Sequence, residues 1–349
     1  MRSETLHINT AGRYQWIDYA KGIAIILVVY RHMLYGLQHT GLEVPQYVED
    51  GNNMLFSFRM PLFFLLSGLF FKRSLEKRGA AGYLEERSNH LLYPYLVWAV
   101  IQISLQLLFA RFVNAQRSAW SYLDIFVQPR ALDQLWYLFA LFNVSVLYLF
   151  SHCVLKLSSL QQVLLGALLL GLAPLAARWS TAYDVMVHYI FFALGPVAAV
   201  NLFTQKIQQQ LAAGQSLLFM LPLFAASQWY FLHHMDMHLY LYAVVALTGS
   251  VFMLQLSAWL AKQDALGFLK TIGHYSLYIY LMHVMIAAVI RAVLLKTGWV
   301  QQATPLLLIL IATSIPLSIA AYRLLDWMGM GWLFKGPFKS RQVIYEKTK

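Results

Sequence analysis

Apolar residues run along this chain in blocks of about 20, the length an α-helix needs to cross a bilayer. Short polar stretches separate them. The blocks fall near residues 17–38, 54–71, 91–112, 134–155, 161–177, 183–204, 215–233, 239–261, 274–295 and 303–326. Inside hydrocarbon every backbone polar group must be satisfied within its own segment, so blocks of this length read as helices. The expectation is an all-α, polytopic membrane protein with about ten transmembrane helices. Pro174 and Pro222 interrupt the fifth and seventh blocks, which leaves counts of nine or eleven open. Residues 1–349 read as a single membrane domain with an N-terminal tail (1–15), a charged loop (72–90) and a C-terminal tail (328–349). An amphipathic helix is expected around Tyr83 to His90, and no internal repeat stands out.

Composition supports the membrane class: 60% of residues are hydrophobic and 12% charged, far from the balance of a soluble domain. The net charge of +11 would suggest nucleic acid in a soluble protein. Here no basic and aromatic surface motif accompanies it, so nucleic acid is not an expected partner and membrane lipids are. With the N-terminus placed in the cytoplasm, the tails and inner loops carry sixteen Lys and Arg, against five on the other side (Arg111, Arg117, Arg130, Arg178 and Lys296). That bias places both termini inside. The first ten residues are polar and no small-residue cleavage site follows the first apolar block, so no cleavable leader is expected. A single cysteine, Cys153, leaves no intrachain disulfide. His233, His234, Asp236 and His238 have the right residue types for a metal but irregular spacing in a loop, and no metal site is expected.

The chemistry concentrates in the first two blocks. Lys21, Arg31 and His32 lie inside an apolar run, and ionisable groups there are costly enough to read as functional. Eleven residues at 100° each bring Lys21 and His32 to within about 20° of one helix face, about 16 Å apart along the axis. An elongated ligand on that face reaches both, with Lys21 suited to a phosphate and the His32 imidazole to accepting a proton. Asp18, one turn before Lys21, caps the helix or pairs with Lys21, and is also a catalytic candidate. Arg31 points to another face, where it snorkels or binds a glycan. In the second block Arg59 is expected at a depth similar to His32, able to hold a carboxylate or polarise a carbonyl. Pro61 and the pair Ser67 and Gly68 loosen that helix or let neighbours approach closely.

These segments resemble the membrane-bound acyltransferase-3 family, in particular the branch of fucose 4-O-acetylases and exopolysaccharide O-acetyltransferases. The resemblance rests on Trp16 to His32, Arg59 to Gly68, Leu91 to Trp98, Leu135 to Phe142 and Gly273 to His283, in the family's order and across nearly the whole chain. A basic residue, a ten-residue gap and a histidine form the family signature, met here by Lys21 and His32. It implies His32 as the catalytic base. Two departures stand out: Arg59 replaces a histidine common in the branch, and only Asp326 stands where many relatives carry a glutamate near the end of the last block. The extracytoplasmic esterase-like domain of some relatives is also missing, which implies a minimal membrane form.

The resemblance implies an O-acetyltransferase of the bacterial inner (plasma) membrane. It would move an acetyl group from acetyl-CoA, with no permanently bound cofactor, to a sugar hydroxyl of a surface polysaccharide or a lipid-linked oligosaccharide. The donor's phosphates are expected near Lys21, Lys72, Arg73, Arg87 and Arg323. His32, Arg59 and Asp18 are the catalytic candidates, and Arg31, Trp136 and His283 are expected on the acceptor side. Trp136 is equally an interfacial aromatic, and His283 equally a packed core residue. A glycan or organic-anion transporter is the alternative, since many helices with buried charge also describe a permeation path. The sequence sets no oligomeric state.

Overall fold

The computed structural model describes residues 14–109 and 117–338, and its regular elements are helical. In chain order they are α1 (Gln15–Gln38), α2 (Gln46–Met54), α3 (Arg59–Leu69), α4 (Phe71–Arg87) and α5 (Tyr93–Leu108). Then come α6 (Asp124–Val127), α7 (Trp136–Cys153), α8 (Ser159–Leu172), α9 (Ser180–Leu202) and α10 (Gln205–Leu211). The last five are α11 (Gly214–His233), α12 (Leu239–Lys262), α13 (Phe268–His274), α14 (Ser276–Thr297) and α15 (Ala303–Trp327). The basic residues of the outermost tails (Arg2, Arg13, Lys339, Arg341, Lys347 and Lys349) and Arg111 lie outside the described residues.

Each of the ten apolar blocks meets a helix, but not every helix is long enough to cross. Among the described residues eight segments are long and apolar enough to span, and the pair α10 and α11, bent by 61°, makes a ninth if counted as one. The second block is where expectation and structure part. Residues 55–58 form turns, and α3 is an 11-residue helix, about 16 Å long and too short to cross alone. Pro61 is the physical reason: it sits in the first turn of α3, where its missing N–H costs nothing, so it marks a helix start rather than a bend within a longer span.

The charged stretch 72–90 is helical. It forms α4 and continues through a π-turn, Ser88–Leu92, into α5. Gly79 breaks it, with φ 69° and ψ 177°, a conformation that glycine adopts without penalty. Across the break Arg78 pairs with Glu86 at 2.7 Å.

The chain divides into two compact units. The first holds the residues up to Phe63 and Val200–Leu325. In it α1 packs against α12, α13 and α14. Glycine faces glycine where α1 meets α13: a Cβ on Gly22 would stand 2.1 Å from the Leu269 carbonyl oxygen, and one on Gly273 1.7 Å from that of Asp18. Phe224 of α11 stacks on Phe252 of α12 with centroids 4.2 Å apart, and Ser57 donates to buried Gln228 at 2.6 Å.

The second unit holds Phe64–Ala199 and the residues from Asp326 onward. Gly68 of α3 and Gly195 of α9 meet backbone to backbone, so these small residues serve close packing. Ser151, Gln162 and Tyr189 share a buried hydrogen-bond network. The segment after α15 is fixed by Trp98, which donates to the Leu333 carbonyl at 2.9 Å, and by Asn89, bonded twice to the Phe338 backbone.

Candidate active site

One unbroken helix, α1, carries Asp18, Lys21, Arg31 and His32. The ten residues between Lys21 and His32 are therefore helical throughout, and the shared face and the separation of about 16 Å hold. His32 is half-buried. Its imidazole meets the His283 ring of α14, with centroids 5.3 Å apart and planes at 60°. Since His283 is fully buried, His32 faces the interior of the first unit. No hydrogen bond or ion pair engages the His32 ring among the described residues.

Arg59 is buried, and its donors are committed. One terminal nitrogen gives a 2.7 Å bond to the Leu27 carbonyl of α1, an oxygen that also serves the helix ladder. The other reaches the Asn52 carbonyl at 2.8 Å and its side-chain oxygen at 3.1 Å. One guanidinium thus ties α1, α2 and α3 together, a task that needs the planar fork of arginine. Phe56 lies between two cations, with Arg31 4.6 Å and Arg59 5.1 Å from its ring centre. Arg31 also stacks on Tyr35 at 4.4 Å and donates to its hydroxyl at 3.0 Å. The surroundings of His32 are therefore rich in positive charge.

At the other end of the helix Asp18 is buried, beside the crossing with α13, and Lys21 is partly accessible. Arg323 of α15 is exposed, stacks on Tyr275 at 5.3 Å and donates to its hydroxyl at 3.1 Å.

The remaining candidates belong to the second unit. Lys72 and Arg73 are exposed on α4. Arg87 donates to Ser67 of α3 at 2.8 Å and lies 5.0 Å over Tyr83. Trp136 opens α7, with the Arg130 guanidinium 4.8 Å over its ring and His188 5.4 Å away. His188 lies two turns inside α9, buried and stacked on Phe64 at 4.5 Å. Arg130 Nε donates to buried Asp184 at 2.8 Å. His233 and His234 bond their own helix backbone, and His238 accepts from the Tyr240 N–H. Among the described residues no three metal-ligating side chains converge.

Sequence reasoning passed over three residues here. Arg291, inside the ninth block, lays its guanidinium across Gly36, where a Cβ would stand 1.9 Å from its terminal nitrogen. A cation in an apolar run was the available signal. The pair Arg130 and Asp184 is 54 residues apart in sequence, and nothing local announces it.

The family model for the acyltransferase domain matches residues 14–323. Matched over most of its length, the chain belongs to the acyltransferase-3 family and is a multi-pass, all-helical acyltransferase. A stretch of 93 residues is 30% identical to nodulation protein NolL of Mesorhizobium japonicum, covering 27% of this chain and 25% of that relative. The match thus spans about a quarter of NolL. No solved structure matches.

Proposed function

We propose that this protein is an O-acetyltransferase of the bacterial inner membrane. It takes an acetyl group from acetyl-CoA and places it on a sugar hydroxyl of a surface polysaccharide or its lipid-linked precursor. One observation carries the reading. His32 is a half-buried imidazole without a hydrogen bond, facing the interior of its unit on the same helix face as Lys21. Family membership supplies acyl transfer, and the spacing of the two residues suits a long thioester donor.

In this reading Lys21 holds a phosphate of the donor, with Arg323 as a second cation of the same unit, and the pantetheine arm runs along α1. His32 removes the proton from the acceptor hydroxyl as that oxygen forms its bond to the thioester carbon. The C–S bond then breaks, and the departing sulfur takes the proton from His32, so an ester and a free thiol are the products. Arg31 and Arg59 place positive charge where the tetrahedral oxyanion forms.

The test is acyl transfer from labelled acetyl-CoA by the purified protein, together with analysis of the host's glycans for a missing acetyl ester after gene deletion. His32→Ala is expected to lower turnover by about 100- to 10,000-fold, and Lys21→Gln to raise the KM for acetyl-CoA with little change in kcat. Full activity in His32→Ala overturns the reading. Movement of a solute without donor consumption replaces it with a transporter.

A further inference from the structure

The geometry points to His283 as the positioning residue of His32, the partner whose lone pair fixes which His32 nitrogen carries the proton. The inference rests on the reading of His32 as the base. His283 Nδ1 lies 2.8 Å from the Ile279 carbonyl oxygen and 3.0 Å from that of Tyr280. A carbonyl only accepts, so Nδ1 carries the hydrogen and Nε2 of the neutral ring is an acceptor. That Nε2 is buried and has no partner within the protein, an arrangement that costs free energy and calls for an explanation.

His32 supplies the missing donor. Two imidazoles joined by an N–H···N bond of about 2.9 Å, each nitrogen about 1.1 Å from its ring centre, have centroids about 5.1 Å apart. The observed separation is 5.3 Å, within a small side-chain rotation of that bond. With one His32 nitrogen donating to His283, the other presents its lone pair to the acceptor hydroxyl. A carboxylate does this for the histidine of a hydrolase triad. Here no carboxylate bonds His32 among the described residues, and a second imidazole occupies the place. His283 exchanges no proton with substrate: the hydroxyl proton passes to His32 and then to sulfur, while His283 holds the ring.

The experiment compares His283→Phe, which fills the space without an acceptor, with His283→Gln, whose amide oxygen can stand where Nε2 stood. His283→Leu replaces the Phe variant if melting and gel filtration show that Phe is not accommodated. The acceptorless variant is expected to lose about 100-fold in kcat, with KM for acetyl-CoA within about threefold. The Gln variant is expected to regain much of that loss. Diethylpyrocarbonate labelling of His32, read by mass spectrometry, is expected to be slower in the acceptorless variant than in wild type or His283→Gln. Unchanged kcat and labelling in the acceptorless variant, or Gln and Phe variants equally impaired while both fold, overturns the proposal. Labelling does not depend on turnover, so an active His32→Ala protein defeats the reading of His32 as base without deciding whether the two rings are coupled.

Discussion

Arg59 shows how far residue type alone can be read. Its position inside an apolar block announced a costly cation, and the structure places it near the helix that carries His32. The sequence does not say that its bonds go to Leu27 and Asn52, because these partners are a backbone carbonyl 32 residues away and an asparagine in the polar stretch before the block. This arrangement makes the residue sensitive to shape as well as charge. Arg59→Lys keeps the charge but cannot reach both oxygens in one plane. It is expected to cost about 1–3 kcal/mol, seen as a lower midpoint in thermal unfolding in detergent together with reduced turnover. A melting curve that overlays the wild type contradicts the assigned bonds. Lys21 and His32 were legible because their relation is internal to one helix. The His32 and His283 pairing was not, since 251 residues separate them (283 minus 32) and only packing joins α1 to α14.

At the level of elements, hydropathy located the long apolar helices but not short ones such as α6 and α10, and proline chemistry decided the outcome in the second block. The run 54–71 is apolar enough to read as a span, yet Pro61 opens α3 partway through it, and the residues before it turn instead of continuing the helix. The close contact of α1 with α13 had no comparable signal: Gly22 and Gly273 are ordinary glycines until the fold sets them back to back. Each substitution there drives a methyl group into a backbone carbonyl. Gly22→Ala and Gly273→Ala are therefore each expected to destabilise by about 1–3 kcal/mol, whereas Gly267→Ala, with open space around its Cβ, is expected to melt as wild type does. Equal midpoints for all three variants remove the proposed crossing.

For the whole molecule, charge bias makes a statement that helix geometry does not. On the ten-block reading sixteen basic residues lie on one side against five on the other, and we propose from that bias that both ends of the chain lie in the cytoplasm. Alkaline phosphatase fused after residue 338 is expected to be inactive and a fluorescent protein fused there bright; the opposite result reverses the assignment. The membrane class and the presence of helices were legible because burial in lipid imposes one rule on every segment. The pairing of Arg130 with Asp184 was not, because it depends on how helices are arranged rather than on any one of them. Gly36 carries a further consequence. Beneath Arg291 it keys α1 to α14, as Gly22 keys α1 to α13, and the two glycines stand about 21 Å and nearly four full turns apart. His32 lies between these pins. One residue inserted or deleted between Gly22 and Gly36 would turn one pin by about 100° against the other, so α1 tolerates exchange of its lipid-facing side chains far more readily than any change in its length.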